Sequence, residues 1–318
     1  MAEQGLVGKV CLVTGASRGI GKGIALQLGE AGATVYITGR SLKSKDGKLG
    51  LEDTAHEIEA RGGKCVPLEC DHSDDEQIKA LFQTLSDKEG KLDVLVNNAY
   101  SGVPALLETS GKPFWEISSS MWDTVNQVGL RSHYLASWHA AQLMVRAQRG
   151  LIVNVSSCGG LLSIFNSAYC VGKSGCDRMA VECGRELRKT NVAMVSLWPG
   201  PVKTETIMST LTGDNKSTAV DEKTAEYMTK YGESIEFPGK AIVNMAKDPN
   251  IMSKSGRIFI TAELGAEYGF MDVDGKRPTS LREAKTLFLF SGHPWLAAMT
   301  PSFLKLPYWI LTLAGNHF

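Results

Sequence analysis

The strongest constraint on the fold lies near the start of the chain. Lys9 to Thr14 (KVCLVT) is a short, valine-rich apolar run, the pattern of a buried strand. It passes directly into Gly15-Ala16-Ser17-Arg18-Gly19-Ile20-Gly21 and then into a helical spacing at Ile24, Leu28 and Ala31. Glycines let a backbone approach a pyrophosphate, and a helix N-terminus offers free N–H groups and the positive end of its dipole. Strand, turn and helix in that order are the context a nucleotide site requires. The spacing is G-x-x-x-G-x-G, so the turn alone leaves nucleotide binding and an ordinary tight turn as equal readings.

The same unit recurs along the chain. Thr34 to Thr38 is a second strand running into Gly39-Arg40. Leu51 to Arg61 is helical, and Lys64 to Cys70 is a third strand ending at Asp71. Ser73 to Lys88 is helical, with Ile78, Leu81, Phe82 and Leu85 on one stripe. Leu92 to Val96 is a fourth strand, followed by Asn97-Asn98-Ala99. Gly102 to Ser118 reads as loop and Ser119 to Val145 as one long helix. Gly150 to Ser157 is a fifth strand, Ala168 to Lys189 a helix, and Val192 to Trp198 a sixth strand ending in Pro199-Gly200-Pro201-Val202-Lys203-Thr204. Residues 205–235 are polar and poorly periodic, which suits a lid over a site. Phe237 to Lys247 is helical and Gly256 to Thr261 a seventh strand.

This alternation predicts an α/β fold, a single doubly wound parallel sheet of about seven strands with helices on both faces. Residues 1–262 form the domain and 263–318 a C-terminal extension. In such sheets ligands bind outside the carboxyl ends of the strands. Gly15, Arg40, Asp71, Asn98, Ser157 and Pro199 all follow predicted strand ends, so they should line one edge. An acidic residue after the second strand would bond a ribose 2′-hydroxyl, but Gly39 leaves that position empty. Arg40 follows at once, and Arg18 lies in the glycine turn. Two guanidinium groups near one end of a cofactor point to NADP(H) rather than NAD(H). For Arg40 the bland alternative is a solvated loop charge. Asp71 has two readings, the adenine edge or a helix cap. Asn98 either stitches backbone groups together or does so while lining the cleft.

Composition excludes other classes. Lys plus Arg equals Asp plus Glu at 34 each, so nothing pulls the chain toward nucleic acid. Seven cysteines without C-x-x-C or metal-ligand spacing fit a reducing, intracellular compartment and no disulfide framework. The N-terminus MAEQGLVGKV has no basic region followed by a long apolar one, and no run reaches the ~18 apolar residues of a membrane span. A cytoplasmic protein is expected. His133 and His139 are given structural roles, and Asp272-Val273-Asp274-Gly275 is a turn without a full calcium loop, so no metal site is expected.

Tyr169 and Lys173 lie four apart at the start of a helix and share a face, with Ser157 at the end of the strand before them. A tyrosine near pKa ~10 is too basic for proton transfer at neutral pH, and an adjacent cation lowers it. Tuned in this way it exchanges a proton with a carbonyl or alcohol oxygen. Y-x-x-x-K alone is a weak signal.

Taken in order, Thr14-Gly15-Ala16-Ser17-Arg18-Gly19-Ile20-Gly21, Asn97-Asn98-Ala99, Ser157, Tyr169-x-x-x-Lys173 and Pro199-Gly200 resemble the short-chain dehydrogenase/reductase family, from about Gly8 to Thr261. The resemblance implies a Rossmann-like sheet, and a cofactor held by Gly15, Ser17, Arg18, Gly19, Ile20, Gly21, Arg40, Asp71, Asn98, Ala99, Tyr169, Lys173, Pro199, Gly200, Val202 and Thr204. It implies Tyr169 as proton donor in reduction, Lys173 as the group that lowers its pKa and holds the nicotinamide ribose, and Ser157 as hydrogen-bond donor to the substrate oxygen. A homo-oligomer is expected. The function implied is an NADP(H)-dependent interconversion of a carbonyl and a secondary alcohol. Tyr100 and the aromatic tail suggest a steroid, retinoid or xenobiotic ketone. The alternative is an NADPH-binding sensor or scaffold with little catalysis, because Gly129 stands where the family carries a fourth catalytic residue, an asparagine. Asn126, one turn earlier, is the candidate to support a relay water instead. Tyr100 also replaces the family's usual glycine. The tail from Thr286 to Phe318 carries Phe288, Phe290, Trp295, Phe303, Tyr308, Trp309, Ile310 and Leu311, broken by Pro294, Pro301 and Pro307. It covers the cleft or an interface, or it contacts a membrane surface such as the endoplasmic reticulum's.

Overall fold

The structure is a computed structural model that describes residues 5–45, 47, 49–212, 222–307 and 309–311. The first four residues, the middle of the expected lid (213–221) and Tyr308 lie outside these. The first half of the chain runs β1 (Val10–Val13), α1 (Gly19–Glu30), β2 (Thr34–Gly39), α2 (Leu51–Ala60), β3 (Lys64–Glu69), α3 (Asp75–Glu89), β4 (Val94–Asn97), α4 (Val103–Glu108), α5 (Met121–Asn126) and α6 (Ser132–Ala147). The second half runs β5 (Gly150–Val155), α7 (Ser167–Glu186), β6 (Val192–Trp198), α8 (Glu205–Thr212), α9 (Glu222–Tyr231), α10 (Phe237–Lys247), β7 (Ile258–Ile260), α11 (Thr261–Tyr268), α12 (Ala284–Phe290) and α13 (Pro294–Met299).

The strands form one sheet in the order β3-β2-β1-β4-β5-β6-β7, every pair parallel. Side chains alternate faces along each strand, and helices cover both faces, so the central strands are buried throughout. Cys11 and Val13 pack with Ile24, Leu28, Ile58 and Ile242 from α1, α2 and α10. Val10 and Leu12 pack on the other face with Ile78, Leu85, Ala140 and Met144 from α3 and α6. The chain reverses its direction of travel across the sheet between β1 and β4. The carboxyl ends of these two strands therefore frame the crevice where a ligand enters.

Three expectations are corrected. The stretch Ser119 to Val145 is two helices rather than one. Between α5 and α6 the chain makes a wide turn, Gln127–Arg131, in which Val128 (φ −109°, ψ 97°) and Gly129 (φ 143°, ψ −29°) leave the helical region. A residue with a Cβ rarely adopts that φ, and glycine does so freely. The supposed loop Gly102 to Ser118 contains α4, whose early proline suits a first helical turn, and a short 3₁₀ turn at Phe114–Glu116. The supposed irregular lid carries two helices among its described residues, with residues 232–235 outside them. α8 begins directly after Thr204, and α9 holds Tyr227 buried, its hydroxyl 2.9 Å from Thr279 Oγ1 of the extension.

The extension is anchored by polar contacts. Arg282 pairs with Glu263 of α11 at 3.1 Å, and the Thr286 hydroxyl donates to Ser280 O at 2.6 Å. Thr286, Ala297 and Leu311 are buried, whereas Leu287, Trp295, Met299, Phe303, Leu304 and Trp309 are exposed. Among the described residues no helix is long and apolar enough to cross a membrane.

Candidate active site

Gly15, Arg40, Asp71, Asn98, Ser157 and Pro199 each follow a strand's carboxyl end in the one parallel sheet, so they share one edge. The loop after β5 and the start of α7 bring the chemistry together. Ser157 has extended backbone and precedes a 3₁₀ turn, Cys158–Gly160, and its Oγ accepts from Gly159 N at 2.9 Å. The Tyr169 hydroxyl donates to the same Oγ at 2.7 Å. Asn166 caps α7 by accepting from Tyr169 N at 3.0 Å, which fixes where the tyrosine enters the site. Gly159 leaves room for the ring: a Cβ there would lie 2.5 Å from Tyr169 Cε1.

Lys173, one turn on, is buried and donates from Nζ to Val155 O at 3.1 Å. Its Nζ stands 5.8 Å from the Tyr169 ring centroid and 4.9 Å from that of Tyr100. Burial pulls the Lys173 ammonium below its ordinary value. Burial also pushes the Tyr169 phenol upward, with the hydrogen bond to Ser157 acting the other way. The Ser157 hydrogen bond works to lower the tyrosine, and the Lys173 ammonium stands beside the same ring.

The glycine turn is built to hold an anion. Gly15 (φ 67°) and Gly19 (φ 57°) are left-handed. A Cβ on Gly21 would lie 2.3 Å from Gly15 O and 2.4 Å from Asn98 Nδ2, so the turn folds tightly onto the helix start. The backbone N–H of Gly19 donates to the Glu205 carboxylate at 2.9 Å, so a negative group already occupies the N-terminal end of α1. That donor set fits the pyrophosphate of a dinucleotide. Thr204, just before α8, faces the turn, its Cγ2 3.4 Å from where a Gly19 Cβ would be. Ser17 O accepts from Thr54 Oγ1 at 3.4 Å, and Ile20 packs against the core.

Other expected residues divide by role. Asn98 Nδ2 donates to Thr14 O and Gly15 O, both at 2.9 Å, and Ala99 N donates to Thr14 Oγ1 at 3.0 Å, so this pair ties β4 to the turn. Arg18 and Arg40 are exposed. Asp71 accepts from Ser73 N and Ser73 Oγ at 2.9 and 2.7 Å. Burial works to raise its carboxyl, but Ser73 and the Arg40 charge hold it below the ordinary value. The cap of α3 is Asp74, not Asp71. Pro199, Gly200 and Val202 form the loop opposite, where Gly200 N donates to Thr261 Oγ1 at 3.3 Å and Val202 bridges to Glu233. His133 is buried with Nε2 3.1 Å from Ala99 O, and burial pushes its imidazole down to about 3. Asn126 Nδ2 donates to Ala168 O at 3.3 Å, while its Oδ1 lies buried against Gly172 without a partner among the described residues. The gap it lines with Tyr100 and Lys173 is too tight for a water, so the expected relay water has no room there.

Sequence reasoning missed Glu205, Glu233, Thr261 and the packing of Tyr100. The acidic residue beside Thr204 was a readable signal for the first. The others are joined only by the fold.

A family model described as short chain dehydrogenase matches residues 9–215. The chain is 47% identical over 314 residues to "Dehydrogenase/reductase SDR family member 1" of Mus musculus, covering 98% of each protein. Among solved structures, it resembles a "putative short-chain alcohol dehydrogenase" from Sinorhizobium meliloti 1021 (TM-score 0.68, 26% identity, 81% of this chain and 96% of that one). It also resembles a metagenomic short-chain oxidoreductase solved in complex with NADP (TM-score 0.60, 28% identity, 77% of this chain and 94% of that one). Since the similarity reaches from the glycine turn through the sheet, the chain belongs to the short-chain dehydrogenase/reductase family of oxidoreductases.

Proposed function

We propose that the protein reduces a hydrophobic ketone, of the steroid, retinoid or xenobiotic type, with NADPH, and runs the reverse oxidation of the secondary alcohol. The observation that carries this reading is the 2.7 Å bond from the Tyr169 hydroxyl to Ser157 Oγ, which places a proton donor and an oxygen ligand side by side at the strand edge. When bound, reduced nicotinamide supplies a hydride to the carbonyl carbon. Tyr169 gives its proton to the carbonyl oxygen, and Ser157 stabilises the charge developing there. Lys173, anchored on Val155 O, stands beside both and is the residue to hold the nicotinamide ribose. Ser17, Arg18, Gly19 and Ile20 would hold the phosphates, with Pro199, Gly200, Val202 and Thr204 opposite. Arg18 and Arg40 favour the 2′-phosphate, and a solved relative holding NADP supports that choice. The intact Ser157–Tyr169 pair favours catalysis over a purely cofactor-binding role.

The test is Tyr169→Phe assayed with NADPH against steroid, retinoid and aromatic ketones. Turnover is expected to fall by at least about a hundredfold, with NADPH affinity within about threefold of wild type. Retained turnover would overturn the mechanism.

Residues 1–262 are proposed as the catalytic unit and 263–318 as a surface-forming extension of an intracellular homo-oligomer. The exposed Trp295, Met299 and Phe303 favour contact with a second copy, and a membrane surface is the alternative. Sedimentation with and without anionic vesicles separates the two: a chain that co-sediments only with vesicles contradicts the first.

A further inference from the structure

Tyr100 and Gly129 are used by no step above, yet they meet at the catalytic lysine. The Tyr100 ring lies with its centroid 4.9 Å from Lys173 Nζ and 6.1 Å, edge to face, from the Tyr169 ring. A Cβ on Gly129 would lie 2.6 Å from Tyr100 Cδ2 and 2.9 Å from Cε2. The ring therefore occupies the volume that any side chain at position 129 would need. Gly129 is itself held on both sides: its N–H donates to Ser132 Oγ at 3.3 Å, and its carbonyl accepts from Cys176 Sγ at 3.0 Å.

An ammonium has three donors, and among the described residues Lys173 Nζ makes one hydrogen bond, to Val155 O. A desolvated ammonium with so few acceptors is costly unless something else offsets its charge. An aromatic face does so, most strongly where water is excluded. The other groups around Lys173 are weak substitutes. Cys176 and Asp177 on its own helix favour the charge, but burial pushes the Cys176 thiol up to about 11 and also raises Asp177. His133 of α6 is driven to the neutral form, by burial first and then by Lys173 itself. The Tyr100 hydroxyl, by contrast, is buried with no partner among the described residues, and the adjoining gap admits no water. The ring face is engaged and the hydroxyl is not.

We propose that Tyr100 is a positioning residue that holds the Lys173 ammonium against its π face, and that Gly129 is required because it alone leaves room for that ring. The inference rests on Tyr169 acting as the proton donor proposed above, with the Lys173 ammonium beside its ring favouring the tyrosinate. Losing the face makes the charged lysine harder to keep in place. The tyrosinate form of Tyr169 then loses support, and its ionisation moves to higher pH.

The test compares Tyr100→Leu, Tyr100→Phe, Gly129→Ala and the Tyr100→Leu/Gly129→Ala double variant. Two readouts are used: ketone reduction with NADPH, and the tyrosinate absorbance titration of the protein without substrate or cofactor. Tyr100→Leu should lower kcat by about 5- to 30-fold, with KM less affected, and move the Tyr169 transition, identified as the one missing from Tyr169→Phe, upward by about one pH unit. Tyr100→Phe keeps the face and should restore both, with a Tm no lower than wild type because an unpartnered hydroxyl is removed. Gly129→Ala should slow the enzyme when Tyr100 is present and add little in the Tyr100→Leu background. A Tyr100→Phe variant as slow as Tyr100→Leu would overturn the proposal, and so would a Tyr100→Leu variant with wild-type rate and titration. If Tyr100→Leu does not fold, Tyr100→Phe and Gly129→Ala decide: a slow Tyr100→Phe, or a fully active Gly129→Ala, overturns it. Retained turnover in Tyr169→Phe would defeat the catalytic reading itself, whereas an inactive Tyr169→Phe beside an unaffected Tyr100→Leu defeats this inference alone.

Discussion

At the residue scale, the site is a set of short polar contacts placed by local backbone chemistry. Ser157 is held by Gly159 N, and Tyr169 by the Asn166 cap, before either meets a substrate. Such residues are legible in a sequence because strand ends, glycines and caps are signalled within a few positions. Contacts that cross the fold are not. Nothing near Tyr100 announces that its ring fills the space over Gly129, and nothing near Glu233 announces its bond to Thr261. Arg40 is an intermediate case: it was legible as a cation after β2, and its field acts on Asp71 at the neighbouring strand end. If it meets a 2′-phosphate, Arg40→Ala should weaken NADPH binding about tenfold while leaving NADH within about twofold, since the lost bond is charge-assisted but exposed. Fluorescence titration measures both. Equal losses for the two cofactors would remove the basis for an NADPH preference.

At the element scale, the regular strands and helices around the sheet follow their apolar periodicity closely, as β6 and α10 show by matching the predicted bounds. Periodicity failed where an element is interrupted or held by tertiary contact. The α5–α6 break depends on one glycine inside an otherwise helical pattern, and α9 is helical with its Tyr227 buried against the extension. α8 also touches the glycine turn proposed to hold the cofactor. Glu205, the first residue of α8, accepts from Gly19 N at the start of α1. A carboxylate at a helix N-terminus gains about 0.3–1 kcal/mol, and a pyrophosphate would use the same donor. A pyrophosphate held there, as proposed, would displace Glu205. Glu205→Gln removes the competing charge and should tighten the NADPH Kd by about two- to fivefold. Weaker binding in that variant would show instead that Glu205 supports the cofactor.

At the scale of the whole molecule, the two ends of the pH range act on different parts of the fold. His133 and His72 are buried on the β4 and β3 sides, and burial pushes them down to about 3 and about 4. The unfolded chain binds their protons first, so stability falls as pH drops below the ordinary histidine value of ~6.5. Glu233 has the opposite sign. It is buried beneath the Pro199–Gly200 loop, bonded to Thr261, with one carboxyl oxygen unpartnered among the described residues and Asp272 adding repulsion. Burial pushes its carboxyl up to about 8 from 4.5. The folded chain keeps this proton when the unfolded chain has lost it, so stability declines as pH rises from the lower value toward the upper one. At about 1.4 kcal/mol per pKa unit the total is about 5 kcal/mol, carried by the loop that faces the cofactor cleft. Glu233→Gln replaces the carboxyl with a neutral group of the same shape and should abolish that component. The Tm of the variant relative to wild type should therefore rise steadily between pH 5 and 8 and level off above. A difference in Tm that stays flat across that range would mean that Glu233 is ionised in the native fold, held by a partner other than Thr261 and Gly200.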